Sequence, residues 1–234
     1  PICWNAELIR RYDNAGPRYT SYPTAVQFHD GIAPSDLIAA LELSRREKRE
    51  LSLYVHIPFC ANICYYCACN KVITKDRSRA EPYLQSLFRE IDLVSQHVGA
   101  DQQVQQLHFG GGTPTFLAHD QLRALMAKLR SSFHLRDDDV GDYSIEIDPR
   151  EADWATMGLL RELGFNRVSF GVQDLDLDVQ RAVNRLQTPE QTQTFMDAAR
   201  ALQYRSINID LIYGLPKQTV EGFARTVDAI IAMK

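Results

Sequence analysis

The stretch LSLYVHIPFCANICYYCACN, residues 51–70, joins a predicted β-strand to a group of cysteines. Apolar residues alternate in LSLYVHI, which predicts a strand over Leu51–Ile57, and Pro58 ends it. Four cysteines follow within ten residues, namely Cys60, Cys64, Cys67 and Cys69. The spacing Cys-x3-Cys-x2-Cys is typical of a short loop whose thiolates bind an iron–sulfur cluster. The sequence therefore predicts redox or radical chemistry beside the end of a strand.

Composition and charge indicate an ordinary globular protein. The 234 residues are 45% hydrophobic and 24% charged, and the formal net charge is −4. This charge gives no broad positive field, so we expect no nucleic-acid partner. The sequence has no apolar run near the ~20 residues of a membrane-spanning helix and no signal-peptide pattern, which predicts a cytoplasmic protein without a membrane partner. The cysteine group, with only Cys3 apart from it, favours metal binding over a disulfide framework.

The rest of the chain alternates predicted strands with predicted helices. Strands are predicted at 51–57, 104–109, 143–148, 166–172 and 206–213. Helices are predicted at 35–50, 81–98, 120–133, 152–163 and 220–234, and a helical region at about 177–202. Strands separated by helices favour an α/β fold with a parallel sheet, curled into a barrel or part of one. An open, doubly wound sheet is the alternative. The chain begins at Pro1 and its last helical pattern reaches Lys234 without a stop signal, which predicts a piece of a longer protein.

Glycines and polar residues stand at the predicted strand ends, where ligands bind in parallel α/β folds. The candidates are Gly110, Gly111, Gly112 and Thr113 after the second strand, Glu146 and Asp148 in the third, Gln173 after the fourth, Arg185 beyond it, and Asp210 in the fifth. The glycines let a ligand approach the backbone, or they form a tight turn. The acidic residues are costly to bury unless they bind a ligand, or unless they pair with Arg150 or Arg167. The amide and the guanidinium suit ribose and carboxylate groups.

Three thiolates can bind three irons of a cubane, which leaves the fourth iron open to a small molecule. A structural zinc site is the alternative, but zinc loops usually pair two separated cysteine knuckles, and the sequence has no second knuckle. The Cys-x-Cys step makes Cys69 an awkward fourth ligand. We therefore expect Cys69 to lie near the cluster without binding iron.

Five motifs in this order resemble the radical S-adenosylmethionine (SAM) enzymes: CANICYYC, GGGTPT, SIEIDP, FGVQD and DLIYGLP. The lead GPRYTSYPTA and the additional cysteine in CYYCACNK narrow the resemblance to the oxygen-independent coproporphyrinogen III oxidases (dehydrogenases) of bacterial haem biosynthesis. The resemblance spans Trp4 to Lys234, and family members continue beyond it. It implies a partial (β/α) barrel of the radical SAM type over 51–234, truncated after the fifth β/α unit. Residues 1–50 are then an N-terminal extension, a lead segment and a helix, over the barrel mouth.

The resemblance also implies a set of site residues. By this transfer Cys60, Cys64 and Cys67 bind a 4Fe-4S cluster whose open iron is chelated by SAM. The implied cofactor contacts are Tyr54, Tyr66, Gly111, Gly112, Thr113, Glu146, Gln173, Arg185 and Asp210, and the implied catalytic residues are Cys69 and Tyr54. Members can hold a second SAM, with Glu146 and Arg185 as shared or nearby contacts. Tyr66 stands where the family has phenylalanine, an exchange that keeps an aromatic face.

The implied reaction is reductive cleavage of SAM to methionine and a 5'-deoxyadenosyl radical, which abstracts a hydrogen from a propionate side chain of coproporphyrinogen III. Loss of CO2 and one electron leaves a vinyl group, and two such reactions give protoporphyrinogen IX. The implied partner is an external electron donor such as flavodoxin or ferredoxin, and we expect a monomer. Arg18, Tyr19 and Tyr22 are candidates for binding the substrate's carboxylates, with packing of their loop as the alternative.

The related haem chaperones, which share the cluster loop, are the alternative function. They generally have an aromatic residue in place of Cys69 and lack the RYTSYPTA lead, so both features favour the oxidase. A barrel wall cut after its fifth strand exposes apolar surface and an open edge. We therefore expect the piece alone to be poorly stable or to associate, with loss of activity.

Overall fold

A computed structural model describes residues 4–13 and 24–233. The chain divides into two compact units, Pro1–Ala40 and Leu41–Lys234. The described part of the smaller unit contains helix α1, Ala6–Tyr12, and the beginning of helix α2, Pro34–Arg46. The sequence did not predict α1, because seven residues are too few for a periodic signal. The position of residues 1–50 over the barrel mouth stays a prediction.

The larger unit is a parallel sheet with helices packed on one face. Its strands are β1 Leu51–Ile57, β2 Phe59–Cys60, β3 Val72–Ile73, β4 Gln103–Gly111, β5 His134–Leu135, β6 Asp142–Ile147, β7 Arg167–Gln173 and β8 Ser206–Leu211. Its helices are α3 Ala80–Ser95, α4 His119–Ser132, α5 Trp154–Glu162, α6 Leu177–Ala182, α7 Pro189–Ala201 and α8 Val220–Ala232. In the described residues, no helix is both long and apolar enough to cross a membrane.

The predicted helical region over 177–202 consists of two helices. Helix α6 ends at Ala182, and α7 begins anew at Pro189. The Thr188 side chain accepts a hydrogen bond from the main-chain N–H of Gln191, and the Gln191 side chain accepts one in return from the N–H of Thr188. This capping box, with proline in the first turn, starts a new helix rather than continuing the old one.

The main strands lie across the sheet in chain order, β1-β4-β6-β7-β8, and each pair is parallel. The short strand β5 adds to β4. A doubly wound sheet reverses its direction of growth at a switch point. The described strands contain no such reversal. The sheet is therefore a (β/α) barrel wall, as predicted, and the doubly wound alternative is wrong.

The two faces of the sheet differ in polarity. In β6 and β7 the buried side chains alternate with partly exposed ones, as expected for strands with one face against a core. The buried set, Tyr143, Ile145, Ile147, Val168, Phe170 and Val172, packs against the helices. The opposite face carries His108, Ser144, Glu146, Ser169 and Asp210. Polar groups therefore line the face that a barrel turns inward.

Candidate active site

One pocket lies at the carboxyl ends of the strands and contains most of the predicted site residues. It is lined by Cys60, Cys64, Cys67, Cys69, Tyr66, Gly111, Gly112, Thr113, Glu146, Gln173, Arg185 and Asp210. Lys71, Arg150 and Ser169 also line it, although they were not predicted as ligand contacts. The parallel sheet explains this convergence, because the carboxyl ends of all its strands meet at one edge.

Hydrogen bonds from several directions hold the cysteine loop. They are Thr74 N to Cys60 O at 2.9 Å, Tyr65 N to Val183 O at 3.0 Å, Asn184 Nδ2 to Ile63 O at 2.7 Å and Lys71 Nζ to Cys67 O at 2.9 Å. Asn184 has a φ of 55°, in the left-handed region that asparagine tolerates better than most residues. The loop is therefore fixed by the turn after α6 as well as by its own flanking strands.

The glycine run brings β4 against the cysteine loop. Gly112 donates its N–H to the carbonyl of Ile57 at 2.8 Å, and a Cβ at this position would lie 2.7 Å from the carbonyl oxygen of Phe59. Gly111 has a φ of 113°, and a Cβ there would lie 2.7 Å from the ring of His56. Both glycines are thus required by the packing of the protein itself. They also line the pocket, so a ligand contact stays a prediction.

Three side-chain donors approach the sulfur atoms of two cysteines. Thr113 Oγ1 lies 3.5 Å from Cys60 Sγ. Arg185 Nη1 and Arg150 Nη2 lie 3.5 Å and 3.7 Å from Cys64 Sγ. Burial raises the pKa of the Cys60 thiol above its usual value, and the hydrogen bond from the Thr113 hydroxyl offsets only part of this shift. Side-chain donors of this kind are the usual partners of metal ligands and orient them.

Asp148, directly after β6, holds both arginines. Its carboxylate accepts a hydrogen bond from Arg150 Nη2 at 2.7 Å and one from Arg185 Nη1 at 3.0 Å. Burial opposes the charge, but the guanidiniums of Arg150 and Arg185 hold the pKa of Asp148 below its usual value. The ion pair with Arg150 is confirmed. Arg167 pairs instead with Asp142, at 2.7 Å.

Glu146 joins the glycine run to a polar row on the inner face. Its Oε2 atom accepts the N–H of Gly111 at 3.3 Å, and its Oε1 atom lies 3.3 Å from His108 Nε2. The other ring nitrogen, Nδ1 of His108, lies 2.6 Å from Ser144 Oγ. Both carboxylate oxygens of Glu146 therefore have partners within the protein. The alternation of side chains along β4 and β6 could have predicted His108 and Ser144, because it places both on the same face of the sheet as Glu146.

Tyr54 lies on β1 beside the pocket and is not part of its lining. Its ring stacks on His108 with centroids 5.7 Å apart, and its hydroxyl is 3.0 Å from His56 Nδ1. Burial raises the pKa of Tyr54, and the charges of Glu146 and Cys69 raise it further. Tyr54 therefore stands near both residues. Its predicted contact with a cofactor, and its catalytic role, stay predictions.

Gln173 ends β7, and Asp210 is the penultimate residue of the neighbouring strand β8. Gln173 has a φ of 69° at an irregularity in the β7–β8 pairing. Its buried Oε1 atom has no hydrogen-bond partner in the part of the chain that the structure describes. Such an atom usually has a partner, so a ligand donor is expected here. Asp210 is exposed and accepts hydrogen bonds from Ser169 Oγ at 2.8 Å and Asn208 Nδ2 at 2.7 Å.

The part of the chain that forms the parallel barrel wall and the cysteine loop matches a known protein family. Residues 54–230 match the model of the radical SAM superfamily, and the chain belongs to that superfamily. A radical SAM methyltransferase from Kitasatospora setae, 15% identical, has a TM-score of 0.53 and covers 80% of this chain and 35% of its own. At that identity the likeness concerns the fold alone.

Similar curated proteins carry a more particular name. An oxygen-independent coproporphyrinogen III oxidase of Pseudomonas aeruginosa is 71% identical over 233 residues, which cover 100% of this chain and 51% of the relative. That of Escherichia coli K12 is 46% identical over 229 residues, 98% of this chain and 49% of the relative. The solved coproporphyrinogen III oxidase from Escherichia coli, a radical SAM enzyme, has a TM-score of 0.88 at 44% identity and covers 100% of this chain and 51% of its own. The chain thus spans about half the length of the curated relatives it matches.

Membership of the superfamily implies a 4Fe-4S cluster and SAM as cofactors, and the residues fit both. Cys60, Cys64 and Cys67 are free thiols in one pocket, and Gln173 supplies an acceptor that has no partner among the described residues.

The predicted substrate contacts Arg18, Tyr19 and Tyr22 lie outside the described residues. Their role stays a prediction.

Proposed function

We propose that the protein carrying this chain is an oxygen-independent coproporphyrinogen III oxidase (dehydrogenase). It converts two propionate side chains of coproporphyrinogen III to vinyl groups with loss of CO2 and gives protoporphyrinogen IX. The observation that carries this proposal is the pocket lined by Cys60, Cys64 and Cys67, together with Cys69, on a chain 71% identical along its whole length to a protein of that name. The haem-chaperone alternative has no comparable support, because the named relatives are oxidases.

In this proposal Cys60, Cys64 and Cys67 hold the cluster. When bound there, the cluster would supply the electron for reductive cleavage of SAM. The chain's own part is to fix the thiolates and to keep the reacting groups in place. The two arginines at Cys64 and the hydroxyl at Cys60 orient the sulfur atoms, as partners of metal ligands generally do.

The pocket offers suitable groups for SAM on every side. Gly111, Gly112 and Thr113 present main-chain groups, and Tyr66 forms an aromatic wall. Gln173 and Asp210 supply polar groups for the ribose and the amine. Glu146 and Arg185 supply charged groups for SAM and for a second SAM molecule. Arg185 Nε donates to the carbonyl of Gly171 at 3.1 Å, so its guanidinium plane is fixed before a ligand arrives. A group held in advance loses little entropy on binding.

Cys69 and Tyr54 are the proposed catalytic residues. Cys69 is an exposed free thiol in the pocket wall, so it can meet a substrate without binding iron. Tyr54 lies on β1 and stacks on His108, which in turn lies 3.3 Å from the pocket residue Glu146. Arg18, Tyr19 and Tyr22 are the proposed partners of the substrate's carboxylates. We further propose a cytoplasmic monomer that receives electrons from an external donor such as flavodoxin or ferredoxin.

An anaerobic assay of the full protein with coproporphyrinogen III, SAM and a reductant tests the proposal. We expect CO2 and divinyl product from the parent and neither from Cys64→Ser. Cys3→Ser, which changes the cysteine outside the loop, is the matched control and should keep activity. Cleavage of SAM without CO2 would reject the substrate while retaining the superfamily chemistry. Stoichiometric haem binding without decarboxylation would favour the chaperone.

A further inference from the structure

Arg150 makes a contact that its place in the sequence did not predict. Its Nη2 atom lies 3.7 Å from the sulfur of Cys64, a residue 86 positions earlier. Arg185 approaches the same sulfur at 3.5 Å. Cys64 thus receives two guanidinium donors, whereas Cys60 receives the neutral hydroxyl of Thr113. The surroundings of these thiolates are therefore unequal.

Asp148 fixes Arg150 against the sulfur. Its carboxylate accepts three hydrogen bonds from Arg150, from Nη2 at 2.7 Å, Nε at 3.0 Å and the main-chain N–H at 3.0 Å. The Arg150 side chain is only 18% exposed and that of Asp148 only 9%. A guanidinium held by its planar fork keeps one orientation, which a lysine ammonium would not. Arg150 therefore presents a fixed donor to Cys64.

The charges near Cys64 do not cancel. Two guanidiniums and the carboxylate of Asp148 leave one net positive charge beside the thiolate. Because the three side chains are mostly buried, solvent screens this charge less than it would at the surface. Reduction adds an electron to an iron–sulfur cluster, so a nearby positive charge and a hydrogen bond to sulfur both favour the reduced form.

We propose that Arg150 is a positioning residue that raises the reduction potential of the cluster through its contact with Cys64. The inference rests on the proposed cluster but not on the proposed substrate. Arg185 acts on the same sulfur, yet it is also a proposed SAM contact, whereas Arg150 lines the pocket without being one. Arg150 is therefore the residue that separates an effect on the cluster from an effect on SAM binding.

The test is an EPR-monitored redox titration of anaerobically reconstituted full protein without SAM. Arg150→Gln removes the charge and should shift the reduction equilibrium about tenfold toward the oxidised cluster, which is ~59 mV more negative for a one-electron couple. Arg150→Lys keeps the charge without the fork and should recover part of the shift. An unchanged midpoint potential in Arg150→Gln, with iron content at the parent level, would overturn the inference.

Arg167→Gln is the matched control. Arg167 pairs with Asp142 across the same two strands, β6 and β7, but at their amino ends. Its removal should leave the potential unchanged, and an equal shift there would overturn the specific role of Arg150. If Arg150→Gln fails to hold iron, Arg150→Lys should restore the iron content, and failure to restore it would also count against the inference. A parent protein that binds no cluster would instead contradict the proposed function.

Discussion

Asn184 donates a hydrogen bond of 2.7 Å to the carbonyl of Ile63, a residue 121 positions earlier in the chain. The turn after α6 therefore holds the cysteine loop directly. Because Asn184 adopts a left-handed conformation, a substitution has to separate the loss of the bond from backbone strain.

Asn184→Asp removes the donor and places a carboxylate against a carbonyl. We expect about 1 kcal/mol lower stability and faster loss of iron under air. Urea unfolding and iron content over time measure the two effects. Asn184→Gly is the control for strain, because glycine accepts the left-handed conformation freely. If the glycine variant retained iron as well as the parent does, the hydrogen bond would not secure the loop.

Gly112→Ala should damage the cysteine loop, because the new Cβ would lie 2.7 Å from the carbonyl oxygen of Phe59. We expect a lower melting temperature and a lower iron content. Gly158→Ala, inside α5, is the matched control, since a Cβ there has no neighbour within 4 Å. That change should stabilise the protein by about 0.5–1 kcal/mol. Equal melting temperatures for the two variants would contradict the close approach.

Asp148→Asn leaves two buried guanidiniums with a neutral partner. Breaking a buried ion pair costs about 3–5 kcal/mol, and urea unfolding should show a loss of this size. Asp142→Asn breaks the comparable pair with Arg167, whose side chains are 40% and 37% exposed. Surface pairs contribute about 0–1 kcal/mol, so the control should lose little. Similar losses in both variants would show that burial does not distinguish the pairs.

Asp153 should make a pH-dependent contribution to stability. Its side chain caps α5 by accepting the N–H of Thr156 at 2.7 Å, and the hydrogen bonds from Thr156 lower its pKa below the usual 3.8. The stabilisation is therefore fully present above about pH 4 and is lost as the pH falls through the lower, folded-state pKa. Asp153→Ala should cost about 1 kcal/mol at pH 6 and less at pH 3. Urea unfolding at both pH values checks this, and a cost independent of pH would mean that the charge is not involved.

Cys69→Ser tests the proposal that Cys60, Cys64 and Cys67 bind iron whereas Cys69 does not. We expect parental iron and sulfide content, because Cys69 is not a proposed ligand. Decarboxylation of coproporphyrinogen III should fall strongly, because Cys69 is a proposed catalytic residue. Cys67→Ser is the comparison and should lose iron. Loss of iron from Cys69→Ser would make Cys69 a ligand after all.

The fold was largely predictable because each main strand is long enough for its apolar pattern to appear. The strand over Leu51–Ile57 was predicted with both of its observed ends. The strands Phe59–Cys60, Val72–Ile73 and His134–Leu135 were missed, because two residues cannot display a period. Whether such short strands pair depends on how the longer strands position these residues in space.

The pocket was predictable only as a set of strand ends. A parallel sheet brings these ends together, so Glu146, Gln173 and Asp210 could be assigned to one site without knowledge of their contacts. The approach of Arg150 to Cys64 could not be predicted. It depends on a side-chain orientation that the Asp148 carboxylate sets, and local sequence patterns carry no information about such a contact across 86 residues.

The order of the strands has a consequence for folding during synthesis. Each main strand pairs with the one made just before it, so the sheet can grow at its edge as the chain leaves the ribosome. The cysteine loop is made early, but its ties to Val183, Asn184 and Arg185 wait until the chain has passed β7. We expect a nascent chain halted before residue 183 to have a formed sheet and a loose loop. Cluster insertion then belongs to a late stage of maturation.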